Sequence, residues 1–182
     1  MNDDKTQPKK KPLKKITQER LKNIALYYLQ RFESSSHNLR QVLQKRIYRY
    51  AKQNPDFNKN EAFEWVENLL SDFERLGYID DKRYAALKIK DYLCAGKSER
   101  YIKQKLKAKG IDIKTSDMLL SEQEYDKKEA ALKFALKKHI GPYRKSLQER
   151  IEFKKKDMAA LLRAGFDYDD VCDILNITGD DI

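Results

Sequence analysis

From Thr17 almost to the end of the chain, apolar positions recur at the three-and-four spacing that places them on one stripe of an α-helix. Leu21, Ile24, Ala25, Tyr28, Leu29 and Phe32 make the first stripe. Leu39, Val42, Leu43, Ile47 and Tyr50 make a second, which must stop before Asn54-Pro55. The third runs through Phe63, Val66, Leu69, Leu70, Phe73 and Leu76, and its start is marked by Asn58 as a cap with Glu61 three residues on. Further helices are predicted over 81–95, 98–109, 115–122, 124–140, 143–164 and 168–176.

Three of these helices end alike. Gly77-Tyr78, Gly110-Ile111 and Gly165-Phe166 each set an apolar residue behind a glycine, the chemistry of a left-handed C-terminal cap. Each pair is followed closely by an acid able to cap the next helix: Asp80, Asp112 and Asp167. The recurrence predicts an internal repeat. Nine helices sort into three sets of three, and a short helix with a single apolar stripe cannot bury it alone. The expected fold is therefore all-α, three tandem three-helix repeats forming an elongated, curved molecule. The boundaries are a disordered basic arm over 1–16, then repeats over 17–78, 79–122 and 123–182. The arm follows from five lysines between Lys9 and Lys15 with almost no apolar side chain.

Composition agrees with a helical, water-exposed chain. Six glycines and 4 prolines in 182 residues leave few tight turns for a fold of short strands. Lys plus Arg number 39 against 29 Asp plus Glu, a net charge of +10 that favours an acidic partner. No stretch approaches the ~18 apolar residues of a membrane span, and the N-terminus lacks the apolar segment of a signal peptide, so a cytoplasmic location is expected. Cys94 and Cys172 lie far apart without a CxxC pattern and read as small core residues in a reducing compartment.

The search for chemistry is short. His37 and His139 are the only histidines, neither in metal-ligand spacing, and there is no GxSxG, HExxH or P-loop segment. No enzyme, metal or cofactor is expected. Asp80, Asp81, Asp126, Glu129 and Asp167 could be paired as catalytic carboxylates, but each sits where a helix start needs an acceptor. Tyr28, Tyr50, Tyr84 and Tyr92 lie on apolar stripes, while Tyr48, Tyr101 and Tyr143, beside Arg49, Arg100 and Arg144, are candidates for exposed contacts.

Grouped cations carry the functional signal. Lys97, Arg100, Lys103, Lys105, Lys107 and Lys109 face one acid, Glu99, before Gly110. Arg100, Lys103 and Lys107 share a helix face, where like charges repel unless an acidic partner relieves them. Between Lys127 and Lys156 a second group holds eleven basic and three acidic residues. The candidate partner-binding residues are Lys97, Arg100, Lys103 and Lys107, then Lys133, Lys137, Arg144 and Lys145.

The order of these signals resembles one family. LGYIDDKRYA (Leu76 to Ala85), Gly96-Lys97-Ser98, Ile102, Leu106 and Gly110-Ile111 look like the RecX regulatory proteins. Ala25, Leu29, Arg31, Phe32, Ser34 to Ser36, Leu39 and Leu43 resemble that family's opening helix pair, and LLRAGFDYDDVCDIL (Leu161 to Leu175) its closing one. The resemblance implies three tandem three-helix repeats, no catalytic centre, and a modulator of the RecA recombinase involved in DNA repair and the SOS response. Such a protein would lie along the groove of the RecA filament on single-stranded DNA and restrain recombination, ATP turnover and LexA cleavage. It would act as a monomer, with single- or double-stranded DNA as a further contact. The competing reading is a stand-alone nucleic-acid-binding protein acting through its basic helix faces. The chain departs from the family pattern in its basic arm and in a long helix, Tyr143 to Ala164, with the charged run Glu152 to Lys156.

Overall fold

The computed structural model describes residues 13–176, which divide into one compact unit ending at Ile79 and a second beginning at Asp80. All regular structure among the described residues is helical.

The first unit contains α1 (Gln18–Leu29), α2 (Ser36–Ala51) and α3 (Lys59–Arg75). Each starts on a side-chain cap: Thr17 Oγ1 accepts from the Arg20 amide at 3.2 Å, Ser35 Oγ from Asn38 at 3.1 Å, and Asn58 Oδ1 from Asn60 and Glu61. Their stripes close one core, with Leu21 and Ala25 from α1, Leu39, Leu43 and Ile47 from α2, and Val66, Leu70 and Phe73 from α3. Ile16, assigned by sequence to the arm, is buried in that core, so the ordered fold begins before α1. The rest of the predicted arm, residues 1–12, lies outside the described residues, as do residues 177–182 of the third predicted repeat. Phe32 is a second departure: α1 ends at Leu29, and the Phe32 ring is exposed, packed against Tyr28 with centroids 5.3 Å apart.

The second unit holds two clusters of helices. The first comprises α4 (Asp81–Cys94), α5 (Glu99–Lys107) and α6 (Ile113–Ser121), whose Tyr84, Ala85, Ile89, Ile102, Leu106 and Leu119 share a core. The second comprises α7 (Lys127–Lys138), a 3-10 turn over Gly141–Tyr143, α8 (Leu147–Arg163) and α9 (Tyr168–Asn176), packed on Ala131, Ala135, Leu161, Phe166, Val171 and Ile174. The predicted helix Tyr143 to Ala164 is shorter at its start. Pro142 sits at the beginning of the 3-10 turn, and Ser146 Oγ accepts from the Glu149 amide at 3.2 Å, so α8 begins at Leu147. Leu147 and Ile151 are 70% and 65% exposed. Cys94 is also exposed, and Cys172 half-buried, contrary to the core reading of both. Cys94 is the last residue of α4, one position past the stripe that ends at Leu93.

The three glycine caps form as the sequence implies. Tyr78, Ile111 and Phe166 each donate a backbone N–H to the carbonyl five residues back, on Phe73, Leu106 and Leu161. Two more ends use the same bond: Lys97 to Tyr92 behind Gly96, and Ile140 to Ala135 behind His139, whose φ of +52° is that of a glycine.

Candidate partner-binding surface

Helix α5 is fixed at its start. Ser98 Oγ caps its start, accepting from the Tyr101 amide at 3.2 Å, and donates to the Ala164 carbonyl at the end of α8 at 2.6 Å. Tyr125, in the segment before α7, donates its hydroxyl to the Lys97 carbonyl at 3.1 Å, and burial pushes that phenol up to about 12. With Ile102 and Leu106 turned into the core, the remaining positions of α5 hold its cations outward.

Those cations divide by what they touch. Lys103 lies between Glu99 Oε1 at 2.6 Å and Asp117 Oδ1 at 2.8 Å; hydrogen bonding to Asp117 first, and then to Glu99, raises its pKa. Lys97 and Lys105 both lie over the Tyr101 ring, 5.1 and 5.2 Å from its centroid, and Tyr101 meets Tyr92 edge-on. Arg100 is exposed on the rim of a cleft of about 290 Å³ whose walls carry Lys103 and Lys127 beside Glu99, Asp167 and Asp170. Among the described residues, neither Arg100 nor Lys107 enters an ion pair.

The second candidate group is more internally satisfied. Lys133 pairs with Glu129 at 2.8 Å, which raises its pKa. Arg144 turns inward and grips Asp157 through Nε at 2.8 Å and a terminal nitrogen at 2.6 Å, with its guanidinium 4.4 Å over the Phe153 ring. Asp157 also accepts the Gly141 amide at 2.8 Å. Burial pushes Asp157 up; the Arg144 hydrogen bonds, the Gly141 amide and the guanidinium charge together pull harder, and its carboxyl ends below the usual range. Arg144 is therefore a clasp on the 3-10 turn. Lys137 and Lys145 are exposed and, among the described residues, without an ion-pair partner.

The capping acids behave as sequence reading expects at Asp80, Asp112 and Asp126, whose carboxylates take backbone amides of the following turn. The carboxylate of Asp167 instead meets Lys127 at 3.0 Å. Among the described residues no three His, Cys, Asp or Glu side chains are placed to hold a metal ion, and no helix is long and apolar enough to cross a membrane.

No family model matches the chain. It is similar to the regulatory protein RecX of Myxococcus xanthus, 35% identical over 157 residues that cover 85% of this chain and 83% of that protein. The regulatory protein RecX of Agrobacterium fabrum is 28% identical, covering 81% of this chain and 77% of its own. Two solved structures share the fold. A crystal structure of regulatory protein RecX aligns with TM-score 0.64 at 25% identity over 87% of this chain and 70% of that one. RecX from Lactobacillus salivarius aligns with TM-score 0.61 at 22% identity over 87% and 94%. A relative matched at that identity across most of both sequences, together with an all-helical architecture found again in RecX crystals, assigns this chain to the RecX family of regulatory proteins.

Proposed function

We propose that this protein is a noncatalytic, monomeric, cytoplasmic regulator that binds the RecA filament on single-stranded DNA and restrains its recombinase, ATPase and coprotease activities. Family membership supports the target, and the outward cations of α5 supply the surface. Three helix triplets, each with its own buried cluster, are read as tandem repeats over 17–78, 79–122 and 123–182. Repeated modules suit a repeated partner, because several weak contacts made by one chain raise one another's effective concentration.

The observation that carries the reading is a set of cations without an ion pair among the described residues, Arg100 and Lys107 on α5 and Lys97 just ahead of it, at a helix pinned at its start by Ser98. Lys103 belongs to the same face but already holds two carboxylates, so reversing its charge would disturb α5 and α6 themselves. The informative variant is Lys97→Glu/Arg100→Glu/Lys107→Glu. It is expected to lose inhibition of RecA-dependent ATP hydrolysis on single-stranded DNA with unchanged helix content. Normal inhibition by that variant sinks the assignment of this face. A protein that binds bare DNA tightly but leaves RecA ATP hydrolysis untouched is the stand-alone nucleic-acid binder instead.

A further inference from the structure

The first unit gathers cations that sequence spacing did not single out. Helix α2 carries Arg40, Lys45, Arg46 and Arg49 and no acid from Ser36 to Ala51. Arg40 is accounted for by a two-pronged pair with Glu67 on α3, at 2.8 and 2.9 Å. Arg46 and Arg49 stand three residues apart on one face. They line a single hollow with Arg20 from the first turn of α1, Lys14 from the segment ahead of it, Tyr50, and the apolar side chains of Leu13, Ile16 and Ile24. No carboxylate lines that hollow, and among the described residues none of the four cationic side chains has a hydrogen bond or ion pair.

Four like-charged side chains bordering one hollow without a counter-charge repel, and a bound anion removes that repulsion. The hollow measures about 50 Å³, far under the ~300–1,000 Å³ of a pocket that encloses a small molecule, so its ligand is a charged group presented at the surface. Three of the four cations are arginines, whose planar fork matches two phosphate oxygens. The chain carries a net charge of +10, a balance that favours a polyanion over a lone ion. We infer that Lys14, Arg20, Arg46 and Arg49 form a phosphate-backbone contact site through which this chain holds nucleic acid directly, without a recombinase present. This site is independent of the α5 reading and stands or falls without it.

The test is fluorescence anisotropy of a labelled 30-nucleotide single strand with the full-length protein and no RecA, titrated from 50 to 200 mM salt. At about 0.7 per phosphate contact on a single strand, Arg46→Gln/Arg49→Gln should flatten the slope of log affinity against log salt by about 1.4 and weaken binding about tenfold or more at the lower salt. Lys45→Gln/Lys52→Gln removes the same charge from α2 and its C-cap, outside the hollow, and should change the slope by less than half as much. Arg46→Lys/Arg49→Lys keeps the charge and should retain the slope, which separates lost contacts from lost folding. Equal effects of the two Gln pairs would show general charge rather than a site. Displacement of the strand by poly-glutamate at matched charge would show an acidic protein surface as the ligand. An unchanged slope for Arg46→Gln/Arg49→Gln would show no contact there, and each of these three results overturns the inference.

Discussion

Asp157 is the one buried charged residue among those described, at 2% exposure, and its three hydrogen bonds hold the 3-10 turn and α8 together. Removing one partner of a buried pair strands the other, a loss of about 3 kcal/mol here, the lower end of the usual range because Arg144 keeps some contact with water. Urea unfolding at pH 7 should report that loss for Asp157→Ala. The pH dependence follows from the direction of the shift. The folded carboxyl lies below its ordinary 3.8, so its stabilisation is complete above that value and disappears as pH falls through the folded pKa. The gap between wild type and Asp157→Ala should therefore narrow in acid; a gap that stays constant down to pH 2 contradicts the assignment. At this scale the sequence was half legible. Arg144 and Lys103 stood out as cations, but Asp157 and Asp117 come from other helices. Helical spacing rules compare only neighbours on one helix, so neither pairing was visible before folding. The arginine hollow escaped for the same reason, although an acid-free α2 was a signal within reach.

Helix ends give a cleaner comparison, because two of the glycine caps differ in what surrounds them. Gly77 has φ +73° and nothing within 4 Å of the place a Cβ would occupy. Gly165 has φ +92°, and its added Cβ would come within 2.7 Å of Ser98 Oγ and 3.1 Å of Arg100 Cβ. Gly77→Ala should cost only the backbone term, about 1 kcal/mol. Gly165→Ala should cost about 1–3 kcal/mol more, since the Ser98 hydroxyl must leave the Ala164 carbonyl. Thermal melts of the two variants measure the difference, and equal shifts would mean that α5 and α8 are not joined there. Ser98→Ala, which removes a cap and that same bond, should fall by about 2 kcal/mol. The caps themselves were readable, because a glycine followed by an apolar residue is a local code. The start of α8 was misplaced even though Ser146 and Glu149 spell a capping box, because Leu147 and Ile151 extend the apolar spacing without being buried.

For the molecule as a whole, the charge of +10 comes with basic surfaces in both units, so variants can address the two proposed tasks one at a time. The grouping of the described helices around three buried clusters was legible from period and caps, whereas the division of cations into paired and free required three dimensions. Contacts with phosphate weaken steeply with salt through counterion release, while a docked protein surface also keeps hydrogen-bonded and packed contacts that salt screens less. Arg46→Gln/Arg49→Gln should therefore leave most of the inhibition of RecA ATP hydrolysis in place at both 50 and 200 mM salt, with the larger loss at 50 mM, where the phosphate contacts it removes are strongest. Lys97→Glu/Arg100→Glu/Lys107→Glu should abolish inhibition at both concentrations and retain most of the bare-strand salt slope. Combining the two sets should abolish inhibition at both concentrations and flatten the bare-strand salt slope at least as much as the arginine pair does alone. If instead the arginine pair alone abolishes inhibition at 50 mM, recombinase control and strand binding share one surface, and the basic face of α5 loses its separate role.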